Sequence, residues 1–357
     1  MSGVESNRFA GVQALRGVAA MLVVLAHSTQ MAHERFRMGE VLEFGASGVD
    51  VFFSISGFVM VATTYRHWGA AGRALDFLLR RLIRIVPLYW AATLLKLAAT
   101  LALPGLTAHP NLDPWHVIAS FLFIPAFDAD HKVLPLLPVG WTLNFEMFFY
   151  LLFAIALAFR VRPVLWLGAA LFVVSWLPSA PALGAVGALA DPILLEFVGG
   201  MFIGWATVKG YTLPKGAAAC GLVIAFVALG LTQILAQTVG FTNRLALWGA
   251  PGAVALMSTV ALEKPLRRWL EGWPELVGDA SYAIYLVHGF AVPLAGVAFQ
   301  KFGLATEFWR VPMVIAGCLL SLLAGVFVHL QFEKPMTKWL NHWRHRRQLQ
   351  RMQTAGL

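Results

Sequence analysis

Long apolar stretches dominate this chain and constrain its fold more than any other feature. About ten segments of roughly 20 predominantly apolar residues follow one another, and that length matches the hydrocarbon core of a bilayer. Hydrophobic residues make up 59% of the chain and charged residues only 13%, about half the ~25% charged share of soluble proteins. The sequence therefore predicts an all-α fold, a polytopic integral membrane helix bundle of about ten transmembrane helices. The expected spans are 11–31, 46–64, 84–103, 140–159, 163–178, 190–208, 216–237, 245–262, 277–298 and 309–331.

Basic residues predict the orientation of these helices. Placing the N-terminus inside puts most of the 27 Lys and Arg residues on the cytoplasmic side, as the positive-inside rule requires. Both termini are therefore expected in the cytoplasm, with 1–340 as the membrane domain and 341–357 as a basic cytoplasmic tail. The net charge of +9 then reflects orientation and anionic lipid headgroups, so no nucleic-acid partner is expected. The segment 114–127 is too short to cross and indicates a half-helix or an interfacial piece.

Two ionisable residues lie inside the first apolar stretch, QALRGVAAMLVVLAHS. Eleven residues at about 100° each bring His27 to within roughly 20° of the direction of Arg16, about 16 Å further along the axis. Both side chains are therefore expected to face the same interior seam. A central charge costs on the order of 3 kcal/mol, so ionisable groups at this depth indicate a functional site. Arg16 could instead extend to the cytoplasmic headgroups, whereas His27 lies too deep for that.

The second and third predicted helices also carry polar side chains. GVDVFFSISGF contains Asp50, Ser54 and Ser56, and small residues such as these serines suit either close packing or substrate contact. RRLIRIVPLYW places Arg81 and Arg84 three residues apart, on one face of a helix. Positive-inside bias alone could explain either arginine, but a cluster that faces one way also suits bidentate binding of phosphates.

The fourth predicted helix begins with a polar stripe. In GWTLNFEMFFY, Thr142, Glu146 and Tyr150 follow at i, i+4 and i+8, which places them on one helix face. Glu146 is expected to pair with another group. Trp141 has the ordinary position of an interface anchor.

The ninth predicted helix carries a second stripe. In GDASYAIYLVHG, Ser281, Tyr285 and His288 follow at i, i+4 and i+7 and predict a hydrogen-bonding ladder that ends at His288. Glu196, which precedes the glycines of LLEFVGGMFIGW, is a weaker candidate for a paired acid beside a close helix crossing. The two cysteines lie in apolar runs without ligand spacing, so neither a disulfide nor a metal site is expected.

A short motif occurs twice near the end of the chain. LEKPLRRWL at 262–270 recurs as FEKPMTKWL at 332–340. Each copy ends an apolar helix and begins a basic segment anchored by Trp. We interpret them as two membrane-exit signals rather than as the trace of a duplication.

These motifs, in this order over nearly the whole chain, resemble the membrane acyltransferase 3 family. QALRGVAA, SGFVM and LPVGWTLNFEMFFY are most similar to the branch that acetylates bacterial exopolysaccharides such as succinoglycan. The resemblance implies a multi-pass enzyme of the bacterial inner membrane whose acyltransferase domain covers 1–340. Such an enzyme moves an acyl group, usually acetyl from acetyl-CoA, to a hydroxyl of an exopolysaccharide or lipid-linked glycan. Acetyl-CoA would be a substrate, no metal is expected, and membrane lipids and the glycan acceptor would be the other partners.

The resemblance also implies roles for individual residues. His27 matches the catalytic histidine and Arg16 its partner, while Arg81 and Arg84 match an Arg-x-x-Arg motif thought to meet the phosphates of the donor. A neutral imidazole can take the proton from an attacking hydroxyl. Arg16 could stabilise the developing oxyanion or hold the thioester end of the donor.

A carboxylate is expected to complete this catalytic set. Glu146 or Asp50 could orient His27 and stabilise its imidazolium, as a carboxylate does in a triad. Direct transfer and a covalent acyl-histidine intermediate both stay open. Expected substrate-contacting or supporting residues are Ser56, Trp141, Tyr150, Ser281, Tyr285 and His288.

A transporter or flippase of a lipid-linked sugar is the competing function. Buried charges would then be gates, but the inverted repeats and matching interrupted helices of many transporters are not found in this sequence. A structural subunit of an export complex would not need the His27, Glu146 and His288 set. Dependence on acetyl-CoA discriminates these classes, because only an enzyme leaves labelled acetyl on the sugar.

Overall fold

The structure, a computed structural model, describes residues 9–70, 72–102, 112–177, 181–239 and 243–354. These residues form helices joined by short turns and loops, with no β-strand among them, and the predicted all-α fold is confirmed. In chain order the α-helices are α1 (Ala10–Phe36), α2 (Gly48–Thr64), α3 (Arg73–Ala102), α4 (Pro114–Phe121), α5 (Trp141–Ala158), α6 (Pro163–Ser175), α7 (Leu194–Val208), α8 (Lys215–Val239), α9 (Ala250–Ala261), α10 (Glu263–Leu270), α11 (Trp273–Asp279), α12 (Ser281–Lys301), α13 (Arg310–Val328) and α14 (Lys334–Thr354).

Eight helical segments of the described chain are long and apolar enough to cross a membrane, so the molecule is a multi-pass bundle. A ninth crossing would combine α9 and α10, which bend by 87° where they join. Helix α6 has 13 residues, and at ~1.5 Å per residue it is shorter than a hydrocarbon core of ~30 Å. All the predicted positions hold helices, while the count of ten crossings and the N-in/C-in orientation stay predictions.

Some predicted boundaries were wrong. The third span begins at Arg73 rather than at residue 84, because the helix continues through charged residues that hydropathy does not count as a span. The span predicted at 277–298 is interrupted at Ala280, between α11 and α12. The half-helix expected within 114–127 is confirmed as α4, an 8-residue helix.

The end of the chain is one long helical run rather than a span with a separate tail. Glu307–Arg347 forms 41 continuous residues, which pass through a π-helical turn at His329–Glu333. At ~1.5 Å per residue this run is about 60 Å long, twice the thickness of a hydrocarbon core. The predicted basic tail at 341–357 therefore continues this helix as far as Thr354, and its cytoplasmic location stays a prediction.

Apolar side chains cover the outside of the bundle. On α8, Val223 and Ile224 are 64% and 63% exposed, and on α13, Leu323 and Phe327 are 60% and 64% exposed. Exposed apolar surface on this scale marks a membrane-facing surface in a helical bundle. Several polar side chains of the predicted site are buried inside the bundle, including Asp50, Ser281 and His288.

Helices α2 and α7 cross with their backbones in contact. A Cβ atom at Gly57 would meet the carbonyl oxygen of Phe197, and one at Gly200 would meet the carbonyl oxygen of Ser54. Small residues allow helices in a membrane to approach this closely. The close crossing predicted from the glycines of LLEFVGGMFIGW is confirmed, and it fixes the position of Ser56 on α2.

The two copies of the Glu-Lys-Pro motif adopt different structures. At the first, the carboxylate of Glu263 accepts the backbone N–H groups of Ala10 and Gly11 at 2.7 and 2.9 Å, which satisfies donors that the first turn of α1 leaves free. At the second, Glu333 bonds to Nδ1 of His329 at 2.7 Å and the helix continues. This difference agrees with the interpretation of the two copies as independent membrane-exit signals rather than as products of a sequence duplication.

Candidate active site

A cavity inside the bundle gathers most of the predicted site residues. It has about 740 Å³ of empty space and lies between α1, α2, α3, α5 and α12. An apolar wall from α2, which includes Phe52, Ile55 and Val59, faces the polar groups. The predicted site residues that line the cavity are Arg16, Ser56, Arg81, Arg84, Glu146, Tyr150 and Tyr285.

Arginine side chains make this cavity positively charged. Arg84 and Glu146 both lie within electrostatic range of Arg16. In the described part of the chain, Arg16, Arg81 and Arg84 form no ion pair with a carboxylate. The Nε atom of Arg81 is buried and donates no hydrogen bond within that part, while its guanidinium lies 5.6 Å from the ring of Phe77. Three arginines around one carboxylate suit the binding of a polyanion such as a phosphate ester.

Glu146 is the carboxylate that lines the cavity. The hydroxyl of Ser56 donates to its Oε1 atom at 3.0 Å, and the phenol of Tyr150 donates to the same oxygen. Glu146 and Tyr150 lie on successive turns of α5, so contact within this predicted stripe is confirmed. The other member of the stripe, Thr142, bonds instead to the phenol of Tyr285 at 2.9 Å.

Tyr285 lines the cavity from α12. Its phenol donates to the carbonyl oxygen of Val139 at 2.8 Å and also bonds to Thr142, while the ring of Phe52 lies 6.1 Å away. The ring of His288, one helical turn further along α12, lies 5.5 Å from that of Tyr285. The lining of the cavity therefore ends one turn before His288.

His27 and His288 lie against each other outside the lining of the cavity. Their ring centroids are 4.8 Å apart with the planes at 68°. Nδ1 of His27 bonds to the carbonyl oxygen of Val23 at 2.9 Å, and Nδ1 of His288 bonds to that of Tyr285. Neither histidine lines the cavity, whereas Arg16 does. The two polar groups of α1 thus belong to two adjacent parts of the site.

The hydrogen-bonding ladder predicted along α12 was wrong. Tyr285 and His288 are joined through the Tyr285 backbone rather than through their side chains. The hydroxyl of Ser281 is buried and has no hydrogen-bond partner among the described residues. Helical spacing places these residues on one face, but the rotamer of Tyr285 turns its phenol toward Val139.

Asp50 belongs to a separate buried ion pair. Its two carboxylate oxygens accept Nε–H and Nη2–H of Arg244, each at 2.9 Å. The guanidinium of Arg244 lies 5.9 Å from the ring of Trp141 and 5.0 Å from that of Trp248. These contacts place Asp50 and Trp141 together, outside the lining of the cavity.

Neither expected carboxylate supports His27. Asp50 is engaged by Arg244 and Glu146 by residues of the cavity. Across the described ranges, no hydrogen bond joins His27 to an acidic side chain, so the expectation that one of these two carboxylates orients it is corrected.

Glu196 lies in the same buried region as Asp50. It is 3% exposed, Asp50 and Arg244 act on it electrostatically, and its oxygens accept no hydrogen bond from any residue that the structure describes. The acid expected there lies beside Asp50 and within electrostatic range of Arg244, and it forms no ion pair of its own among the described residues. Within the described residues, no group of three or more His, Cys, Asp or Glu could hold a metal ion.

Sequence reasoning missed three residues of this region. Arg244 was not singled out, because its partner Asp50 lies 194 residues away in the chain. Tyr282 lines the cavity and donates its phenol hydrogen to the carbonyl oxygen of Ile85 at 2.9 Å, a contact that only its position in GDASYAIY could have suggested. Phe52 resembles an ordinary lipid-facing residue in the sequence.

Comparison with known proteins identifies the family. Residues 9–330 match the family model described as an acyltransferase domain. The chain is 34% identical over 335 residues to the exopolysaccharide production protein ExoZ of Rhizobium meliloti (strain 1021), which covers 91% of this chain and 97% of that protein. No solved structure matches the chain. The resemblance predicted from the ordered motifs is confirmed, and this multi-pass chain belongs to the membrane acyltransferase 3 family.

Proposed function

We propose that this protein transfers an acetyl group from acetyl-CoA to a hydroxyl group of an exopolysaccharide or lipid-linked glycan at the bacterial inner membrane. The observation that carries the proposal is a cavity lined by three arginines that form no ion pair with a carboxylate of the described residues, in a chain of an acyltransferase family. The relative named for exopolysaccharide production supports a glycan acceptor. Membrane lipids would surround the apolar outside of the bundle.

The cavity would hold the donor. Arg81 and Arg84 would bind phosphates of CoA through charge-assisted hydrogen bonds, while the apolar wall from α2 would contact the pantetheine arm. Arg16 and His27 are eleven residues apart on the continuous helix α1, about 16 Å along its axis. Because both side chains cannot meet at one carbonyl across that distance, we assign Arg16 to holding the donor rather than to the oxyanion.

His27 would be the general base. Its imidazole would take the proton from the acceptor hydroxyl as the oxygen attacks the thioester carbonyl. The new O–C bond forms, the C–S bond breaks, and the proton passes from His27 to the leaving thiolate. The thioester end must therefore pass Tyr285, which separates the cavity from the histidines.

Arginine substitutions test the donor site. In membrane vesicles that contain the glycan acceptor and radiolabelled acetyl-CoA, replacing both Arg81 and Arg84 by Gln should raise KM for acetyl-CoA at least tenfold, or about 1.4 kcal/mol, since a hydrogen bond to a charged group contributes roughly 1.5–3 kcal/mol. The matched control replaces Arg160 and Arg162 by Gln, both exposed at the turn between α5 and α6.

The control pair should leave KM within about twofold, because exposed charges contribute little. Equal effects from both pairs would mean that the arginines of α3 set only membrane orientation. Movement of the sugar across the membrane without labelled acetyl would indicate a transporter instead.

A further inference from the structure

The hydrogen bonds of the two histidines fix where each ring carries its hydrogen. A carbonyl oxygen only accepts, so Nδ1 of His27 donates to Val23 and Nδ1 of His288 donates to Tyr285. A neutral imidazole has one N–H group. The Nε2 atom of each ring therefore carries a lone pair, and each of these two contacting rings has one nitrogen that can accept a proton or a hydrogen bond.

The Nε2 atom of His288 is in an unusual position. The side chain is 1% exposed, and its Nε2 accepts no hydrogen bond from any described residue. A buried acceptor left without a donor costs roughly 1–3 kcal/mol. An apolar residue of similar size would fill the same space between α12 and α1 without this cost. The rings in contact with His288 are those of His27, at 4.8 Å, and Tyr285, at 5.5 Å.

His27 needs support that no carboxylate gives it. In a triad, a carboxylate stabilises the imidazolium that forms when the histidine takes a proton. Here Asp50 is neutralised by Arg244, and Glu146 accepts hydrogen bonds from Ser56 and Tyr150. Within the described chain, the polar side chain in ring contact with His27 is that of His288.

We propose that His288 is a positioning residue for His27: it supports the ring through edge-to-face contact, while the carbonyl oxygen of Val23 holds Nδ1, the nitrogen that a carboxylate holds in a triad. Edge-to-face contact holds the ring of His27, and the free Nε2 lone pair of His288 stabilises the imidazolium that His27 becomes. This inference rests on the proposed role of His27 as the base. Because His288 is neutral, the pair carries one positive charge at most, and the proton remains available to the leaving thiolate.

Three substitutions of His288 test which atom matters. In His288→Gln, the amide oxygen reaches the position of Nε2, whereas in His288→Asn the amide reaches only that of Nδ1. His288→Phe keeps a ring without either nitrogen. We expect kcat for acetyl transfer to fall at least tenfold in the Asn and Phe variants and to stay within about threefold of wild type in the Gln variant. KM for acetyl-CoA should not change in any of them, because His288 does not line the donor cavity.

A merely structural role predicts a different order. Phe would then be tolerated best, because it fills the space without burying a polar atom, and thermal melting in detergent would follow the same order as activity. Wild-type kcat in His288→Phe, or equal rescue by Asn and Gln, would overturn the proposal. Full activity in His27→Ala would instead remove the base on which the proposal rests. If His27→Ala lost activity while the His288 variants kept it, only the role of His288 would be overturned, and the proposed function would stand.

Discussion

Buried charges in this protein divide into a paired and an unpaired set. Asp50 is neutralised by Arg244 through two hydrogen bonds, and removing one member of such a pair typically costs about 3–5 kcal/mol. Arg16, Arg81 and Arg84 have no carboxylate partner in the described chain. The members of the first set compensate each other's charge, and those of the second are available to a ligand.

His27 gives the most direct test at the scale of a single residue. We expect His27→Ala to lower acetyl transfer at least a hundredfold, since a positioned general base contributes roughly 10²–10⁴-fold. Folding should be preserved, because the side chain is only half-buried. The matched control is His33→Ala on the same helix, an exposed histidine that should leave the rate unchanged. Transfer of radiolabelled acetyl per folded protein is the measurement, and substantial activity of His27→Ala would exclude His27 from the mechanism.

Sequence patterns located most of these residues but not their partners. Helical spacing correctly predicted that Glu146 and Tyr150 meet, because residues four apart share a helix face. It could not predict that Asp50 meets Arg244, 194 residues away. It also could not fix the rotamer of Tyr285, which decides where the cavity ends.

Among the helices, the crossing of α2 and α7 is the contact on which the position of the site depends most. A Cβ atom at Gly200 would meet the backbone of Ser54, whereas one at Gly199 would meet nothing within 4 Å. Since α2 also carries Ser56, which lines the cavity, any change in this crossing displaces part of the site.

Alanine substitutions at these two glycines should therefore differ. Gly200→Ala is expected to destabilise the protein by about 1–3 kcal/mol through overpacking and to lower activity with it. Gly199→Ala, the matched control, should be neutral or slightly stabilising because alanine favours helix. Thermal melting in detergent compares the two. Equal melting temperatures would show that α2 and α7 do not approach as closely as the structure has them.

At this scale the sequence predicted helix positions better than helix ends. Hydropathy detects the apolar part of a helix, so it missed the charged first turns of α3 and the continuation of α13 into α14. The break at Ala280 lies in a region that is helical on both sides. Contacts between distant parts of the chain decide where such helices begin and end. At the start of α1, for example, the carboxylate of Glu263 accepts the first backbone N–H groups.

For the whole molecule, the orientation in the membrane decides which substrate enters from which side. Lys132 lies in the exposed loop before α5, and Arg73 is exposed at the start of α3. In a Cys220→Ser, Cys318→Ser background, a cysteine at Lys132 should react with a membrane-impermeant thiol reagent from outside the cell. A cysteine at Arg73 should react only after the membrane is opened. Labelling of both from the same side would contradict the N-in/C-in prediction and the proposed donor route.

The position of Tyr285 between the cavity and the histidines bears on ion leakage across the membrane. A continuous passage lined by three arginines would conduct anions, and the membrane potential drives each charge with about 2.3 kcal/mol per 100 mV. Under the proposed route, Tyr285, which is fixed by Thr142 and the carbonyl of Val139 and flanked by Phe52, would interrupt such a passage. The thioester end of the pantetheine arm is narrow and uncharged, so it could pass where the phosphates of CoA are stopped. Under the proposed route, the side chains that separate donor from base also keep the bilayer insulating during each turnover.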